Sequence, residues 1–528
     1  MPGWLKDAVF YEIYPQSYAD SNGDGIGDLQ GIIGKLDYVK DLGCNALWIN
    51  PCYDSPFKDA GYDVRDYKKV AARYGTNDDL KELFAKAHEK GIHVLLDLIP
   101  GHSSEEHPWF KESSKAEKNE YSGRYIWTGH WLEGVPGHPW IAGECARPAC
   151  YMLNFFKCQP ALNYGFLDPV LPWQSSTDSP EARATLEAMK DVMRFWLDAG
   201  CDGFRVDMAD SLVKDDDDKK SGTCALWREV RSMLDSEYPE AAIISEWSNP
   251  ELALNSAHFH MDFCLDHASN GYHTLFRDYW NDGEDKSFFK ADGHGDVMRF
   301  LDDYLPKYEA TKDTGFISLI SCNHDTRRPA FSLSEREIKV AYACIYTMPG
   351  VPFVYYGDEI AMRYLELPSK EGGYDRTGSR TPMQWDDSAN FGFSSAPADK
   401  LYLPQDPSED APTAEKAMKD PSSVYNVIKA LLALRHEHRA LQADGGFEVL
   451  YAEKEKLPFV YARRSDDDGV LVALNPSLRE VSVNVRAEVD DELLSLGETS
   501  VSCEGGESII TMGPQSFALY LHSTHRNI

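Results

Sequence analysis

Two rhythms of apolar positions alternate along the chain up to about residue 440. Short, nearly continuous apolar runs at 9–15, 46–50, 92–99, 203–207, 241–247, 260–266, 316–321 and 352–357 read as strands buried on both faces. Between them, Leu29, Ile32, Ile33, Leu36, Val39 and Leu42 recur at helical spacing. Similar stripes predict helices over 78–90, 181–199, 225–237, 296–304, 334–346 and 422–436. Eight strands alternating with helices predict an α/β chain of the (β/α)8 TIM-barrel kind. Two stretches depart from the rhythm. Residues 103–172 are rich in aromatics, Gly, Pro and His without periodicity, which reads as a subdomain inserted after strand 3. Toward the end, 447–451, 459–463, 470–475, 481–485, 508–511 and 516–521 are short strands with no helix between them, a C-terminal antiparallel β-sandwich. The expected domains are a barrel in two parts, 1–102 and 173–440, an insert, 103–172, and a β-domain, 441–528.

The candidate chemistry collects at the C-terminal ends of the predicted strands, where such barrels carry their sites. In Gly203-Phe204-Arg205-Val206-Asp207, alternation puts Arg205 and Asp207 on one face. An arginine there should hold the aspartate ionised, as a nucleophile requires. Glu246 is followed by Trp247 and has no cation beside it in sequence, so its pKa is expected to rise toward that of a general acid. Asp325 ends the seventh run. Carboxyls on two adjacent strands can flank one glycosidic bond, about 5 to 5.5 Å apart in a retaining enzyme.

A second constellation is Asp20-Ser21-Asn22-Gly23-Asp24-Gly25-Ile26-Gly27-Asp28. Oxygens from Asp20, Asn22, Asp24, the Ile26 carbonyl and Asp28 follow most of a calcium loop, although Gly31 replaces its closing glutamate. The expectation is a structural calcium, with magnesium as the alternative, and no organic cofactor.

Composition narrows the partners. A net charge of −33 argues against nucleic acid and anionic membranes. No run approaches a membrane span, and no basic-then-apolar leader opens the sequence. The 11 cysteines, an odd number without paired spacing, suit reduced thiols and a cytoplasmic location. The sequence sets no oligomeric state.

The motifs Asp97-Leu98-Ile99-Pro100-Gly101-His102, Gln159-Pro160-Ala161-Leu162-Asn163, Gly203-Phe204-Arg205-Val206-Asp207, Ile243-Ile244-Ser245-Glu246 and Asn323-His324-Asp325, in this order, resemble the α-amylase superfamily, glycoside hydrolase family 13. Phe10-Tyr11-Glu12-Ile13-Tyr14-Pro15 and Arg380-Thr381-Pro382-Met383-Gln384-Trp385 are similar to its α-glucosidase, oligo-1,6-glucosidase and trehalose synthase group. The resemblance implies a nucleophile at Asp207, a general acid/base at Glu246 and a transition-state stabiliser at Asp325. It implies that Arg205 orients Asp207 and that His102 and His324 hold the sugar. It further implies that Asp59 and Arg380 close the first sugar pocket and that Tyr62 stacks on the ring.

The implied activity is a retaining, exo-acting α-glucosidase on short α-linked gluco-oligosaccharides or disaccharides, its partner a small α-glucoside. A transglucosidase or isomerase of the trehalose-synthase kind is the alternative, and a catalytically inactive carbohydrate-binding relative a remote one. Gly101 stands where the family usually has asparagine and Ala161 where it has aspartate, which argues against a second calcium site there. Met208, after the nucleophile, leaves the linkage open.

Overall fold

Phe10–Ile13 is buried on both faces, as a strand enclosed by a parallel sheet must be. In the computed structural model it is the first of eight such strands: β1 (Phe10–Ile13), β2 (Ala46–Ile49), β3 (His93–Leu98), β4 (Gly203–Val206), β5 (Ala242–Ser245), β6 (Met261–Cys264), β7 (Phe316–Leu319) and β8 (Phe353–Tyr355). The structure describes residues 1–522 apart from 134–136, 266–269, 280–283, 293 and 373–375; the end of the run expected over 260–266 therefore lies outside the described residues.

The strands pair in parallel in chain order from β1 to β7, and β8 pairs with β1. A parallel bridge between Ile320 and Phe353 completes the ring. Phe10, Trp48, Leu95, Ile244, Phe263 and Phe353 fill its interior. The fold is thus the expected (β/α)8 barrel.

Its outer helices follow the sequence stripes closely: Asn77–Glu89, Pro180–Ala199, Ser221–Glu237, Val297–Thr311, Glu335–Ile345 and Val424–Glu437. The stripe read as one helix over 29–42 is two, Leu29–Gly34 and Leu36–Leu42, broken at Lys35 after a glycine that weakens the turn. Between β3 and Pro180–Ala199 the chain makes a short helix, Pro108–Ser113, and a two-residue ladder of Trp140–Ile141 with Tyr151–Met152. Bridges from His102 to Ala161 and from Tyr125 to Leu162 tie this stretch to the end of β3.

After the barrel come β9 (Gly446–Tyr451), β10 (Phe459–Arg464), β11 (Gly469–Asn475), β12 (Val481–Val485), β13 (Val489–Leu496), β14 (Thr499–Glu504), β15 (Glu507–Met512) and β16 (Ser516–His522). They form antiparallel sheets in the orders β9-β10-β11-β16-β13 and β12-β15-β14. Val460, Leu471 and Ala473 of the first sheet meet Val483, Ile510 and Met512 of the second in one apolar layer. Strands β13 and β14 have no counterpart in the apolar pattern because most of their side chains reach solvent.

Candidate active site

Gly203 opens β4 at φ +140, with its Cα face against the next strand: a Cβ there would lie 1.9 Å from the Ala242 carbonyl oxygen. This close approach sets β4 and β5 in a register that opposes Val206 to Ser245, so Asp207 and Glu246 leave adjacent strands side by side. Neighbouring strands lie about 4.8 Å apart, which matches the carboxyl spacing of about 5 to 5.5 Å in a retaining glycosidase.

One guanidinium organises three acids. Arg205 Nη1 donates to Asp97 Oδ1 at 2.9 Å and to Asp207 Oδ1 at 3.1 Å, while Nη2 reaches Glu246 Oε2 at 2.8 Å. The Met208 amide also donates to Glu246 Oε2, at 3.0 Å, from a backbone held at φ +41. A long side chain in that left-handed conformation is strained, and the strain aims the N–H at the acid.

Two expectations therefore change. Glu246 does have a cation beside it, since β4 brings Arg205 across the strand boundary that separates them in sequence. Arg205 also does not keep Asp207's pKa low: burial, and then the facing Glu246, push this carboxyl well above the usual range, against the pull of Arg205. Acid-assisted attack needs one carboxyl on each side of the scissile bond, and these two strand ends supply them.

Behind the pair, Tyr62 Oη donates to Asp97 Oδ2 at 2.9 Å and meets His324 Nε2 at 2.6 Å. The opposite ring nitrogen, Nδ1, lies 2.9 Å from Glu12 Oε1. Burial lowers the His324 pKa strongly, which leaves it neutral, and raises that of Glu12. The Asn50 amide nitrogen lies 3.2 Å from the same Nδ1, and an Nδ1 that accepts from it leaves Nε2–H to donate to Tyr62. Asp97 is raised to about 6 by burial, against Arg205. Burial pulls His102 down to about 4, so it too is neutral. Its Nε2 faces the Tyr62 carbonyl at 3.1 Å, and its Nδ1 faces Asn154 Nδ2 at 2.9 Å.

At the other end of the site Asp325 Oδ1 accepts from Arg376 Nη1 at 2.9 Å and from Arg380 Nη2 at 2.6 Å. Burial would raise this carboxyl, but the charges of Arg376 and Arg380 hold it well below the usual range. Asp59 does not pair with Arg380. Its Oδ1 is held by Arg376 Nη2 and its Oδ2 by Gln159 Nε2 at 2.6 Å. Arg380 instead points inward, donating through Nε to the His324 carbonyl at 2.8 Å. The substitution of one arginine for the other follows from their placement: Arg376 approaches on the side of Gly372, beside Asp59, while Arg380 is 2% exposed beneath Asp325.

Asp59, Tyr62, His102, Asp207, Glu246 and Asp325 thus line one cavity of about 140 Å³. That is below the range of about 300–1,000 Å³ typical of drug-sized ligands, and suits a single ring. Arg205, His324 and Arg380 stand one layer behind the wall. Phe155, Phe156, Met208 and Arg376 complete the lining. Of these, sequence reasoning assigned no site role to Phe155, Phe156 or Arg376; the available signal was a second arginine four positions before Arg380. Next to Gly101, the space a Cβ would take faces Asn154 Nδ2 at 3.1 Å, so an amide serves that junction.

The loop at 20–28 lies apart from this cavity. Asp20 Oδ1 accepts from the amides of Asn22 and Gly23 at 3.1 and 2.7 Å, and Oδ2 from Gly25 at 2.8 Å and Ser394 Oγ at 2.5 Å. Asp28 caps the helix Leu29–Gly34 through the Gly31 amide at 2.7 Å. Both Asp20 oxygens thus accept two hydrogen bonds already, while Asn22 Oδ1 and Asp24 Oδ1 accept one amide each, at 3.0 and 2.9 Å, and keep a lone pair; the candidate ligands are all oxygens, which fits a hard cation. Among the described residues, no three His, Cys, Asp or Glu side chains form a metal group by themselves. A cation would therefore draw on the Asn22 amide oxygen and the Ile26 carbonyl besides Asp20, Asp24 and Asp28.

Comparison with known proteins bears on the whole chain. A family model described as the α-amylase catalytic domain matches residues 12–444. An oligo-1,6-glucosidase of Parageobacillus thermoglucosidasius is 30% identical over 547 residues, covering 89% of this chain and 90% of that protein. A trehalose synthase/amylase of Mycolicibacterium smegmatis is 32% identical over 495 residues, covering 85% and 78%. Among solved structures, an inactive MutB double mutant in complex with isomaltulose superposes with a TM-score of 0.82 at 25% identity, covering 99% of this chain and 100% of that one.

Proposed function

Since the chain belongs to the α-amylase family, with glycosidase chemistry as its premise, we propose that it is a retaining, exo-acting α-glucosidase of short α-linked gluco-oligosaccharides or disaccharides. The observation that carries this reading is the pair Asp207 and Glu246, held by one arginine at a ring-sized cavity whose far side is closed by Asp59 and Arg376. A closed end accepts the terminal ring of a chain and no sugar beyond it.

Asp207 attacks the anomeric carbon as Glu246 gives its proton to the leaving oxygen, and a covalent glucosyl-enzyme forms. Glu246, now a carboxylate beside Arg205 and the Met208 amide, then takes a proton from the incoming water. Asp325, kept ionised by its arginines, accepts hydrogen bonds from ring hydroxyls that strengthen as the ring flattens. The proposal includes a structural calcium or magnesium at 20–28, no organic cofactor and a cytoplasmic location. Support for the location comes from the cysteines, all 11 of which carry free thiols. No helix among the described residues is long and apolar enough to cross a membrane.

A second reading is a transglucosidase or isomerase, in which a sugar rather than water resolves the intermediate. It is favoured by the likeness to the trehalose synthase relative and to the MutB structure with isomaltulose. Proton NMR with maltose, isomaltose, trehalose and sucrose decides. Release of α-glucose first, with no new linkage, is the expected result. A new glycosidic bond without net glucose establishes the isomerase instead. Asp207→Asn is expected to lower kcat by at least about a thousandfold with an unchanged circular dichroism spectrum.

A further inference from the structure

The end wall of the cavity is an ion pair between two loops, with Asp59 following β2 and Arg376 following β8. Both loops must be held still for that pair to face a sugar. The backbone around Asp59 resists being held, because Phe57 and Ala60 stand in the left-handed region at φ +58 and +53. Residues other than glycine persist there only where the surroundings over-determine them. Glu371, Tyr402, Tyr14 and Arg73, none of which lines the cavity, supply that constraint from behind the wall.

Glu371 is buried at the centre of this group. Tyr402 Oη donates to its Oε1. Tyr14 Oη shares its proton between Glu371 Oε2, at 3.4 Å, and the Ala60 carbonyl, at 3.2 Å. The next residue, Gly372, donates its amide to the Lys58 carbonyl at 3.1 Å. Lys58 and Ala60 flank Asp59, so Glu371 and Gly372 grip the Asp59 loop on both sides. On the other flank, the Lys370 amide donates to Thr377 Oγ1 at 3.2 Å, beside Arg376. Gly372 lies against the ion pair itself: a Cβ there would stand 2.8 Å from Asp59 Oδ1 and 3.1 Å from Arg376 Nη2.

Tyr402 is anchored in turn. Its amide donates to the Gly25 carbonyl at 3.0 Å. The Lys370 ammonium and the Arg73 guanidinium lie 3.8 and 4.9 Å from its ring centroid. The same guanidinium lies 3.6 Å from the Phe57 ring, which gives a second link to the Asp59 loop.

We propose that Glu371 and Tyr402 are positioning residues for the end wall. By joining 369–372 to the Asp59 loop they hold Arg376 where it meets both Asp59 and Asp325, and so set the affinity for the terminal ring. The identity of that ring rests on the α-glucosidase reading.

The first readout is the dissociation constant of the full-length protein for D-glucose, a single ring, by titration calorimetry. Glu371→Ala is expected to weaken binding about tenfold, and Tyr402→Phe, which loses the hydroxyl and keeps the ring, about threefold. With maltose the loss should fall mainly on KM. Unchanged glucose affinity in either variant, or a loss confined to kcat, overturns the proposal. The second readout is a double-mutant cycle. Because the effect runs through Arg376, Glu371→Ala is expected to change kcat/KM by less than about twofold when Arg376→Ala is already present. Losses that multiply instead mark a merely structural role and also overturn it. Tyr402→Phe carries the same cycle if Glu371→Ala yields no folded protein. A wild type that binds glucose but hydrolyses no glucoside fails the α-glucosidase reading alone; one that binds no glucose overturns the positioning role as well.

Discussion

Arg376 shows how a single side chain decides the shape of this site. It joins Asp59, which follows β2, to Asp325, which follows β7, so two acids that would repel each other become the two ends of one bridge. Removing one partner of such a buried, hydrogen-bonded charge set typically costs about 2–5 kcal/mol. Arg376→Ala is therefore expected to lower kcat/KM for a disaccharide by about thirtyfold or more, and steady-state kinetics on maltose will read it. Arg376→Lys should recover part of the loss, since one ammonium cannot reach both carboxylates in the same plane. The sequence carried the acids Asp207, Glu246 and Asp325 plainly, because each ends an apolar run. It could not reveal that Arg205 also serves Glu246, nor that Arg376 rather than Arg380 holds Asp59. Those pairings depend on which strands and loops become neighbours, and no spacing along the chain encodes that.

At the level of elements, the strand-and-helix alternation was legible because buried parallel strands are nearly all apolar. Strands β13 and β14 were not, since an exposed sheet edge shows no apolar alternation. The joint between β4 and β5 is the most demanding element in the barrel. Gly203→Ala would drive a methyl group into the Ala242 carbonyl at 1.9 Å, backbone against backbone, with no flexible side chain to yield. This variant is expected to be recovered as insoluble protein, or with a much lower Tm by differential scanning fluorimetry, and without activity. The loop at 20–28 makes an opposite kind of demand. If it holds a hard cation, chelation removes a ligand bound only by the folded state, which stabilises by about 2.7 kcal/mol when free ligand is a hundredfold above its Kd. Dialysis against EDTA is expected to lower Tm, and added calcium to restore it. An unchanged Tm removes the cation from the proposal.

Across the whole molecule, buried acids shape the response to pH. Glu359 sits under the barrel wall, with Oε1 accepting from Tyr11 and Tyr38 at 2.7 and 2.8 Å. Burial raises it from 4.5 to about 7, and Asp262 likewise rises from 3.8 to about 7. A raised carboxyl binds its proton more tightly when folded, so between these limits the folded state holds more protons than the unfolded one. Stability is then full below about pH 4 for these groups and falls as pH rises toward 7, where they must ionise in place. Glu359→Gln keeps the acceptor and removes the charge. It is expected to match wild type in urea denaturation at pH 4 and to exceed it at pH 8, by about 3 kcal/mol for a shift of this size. Equal stability at pH 8 would show the carboxyl to be unstrained.

The end wall of the catalytic cavity has a consequence for biosynthesis. Its parts come from three distant places: Asp59 near the start, Gln159 and Phe156 in the insert, and Gly372 and Arg376 after β8. A ribosome has made Asp207, Glu246 and Asp325 well before it makes Arg376 or docks β8 against β1. A nascent chain at that point owns all three acids but has neither a closed ring of strands nor the arginine that joins Asp59 to Asp325. The complete cavity therefore arrives late in synthesis, with the segment that closes the barrel, and a partly made chain is expected to be inactive.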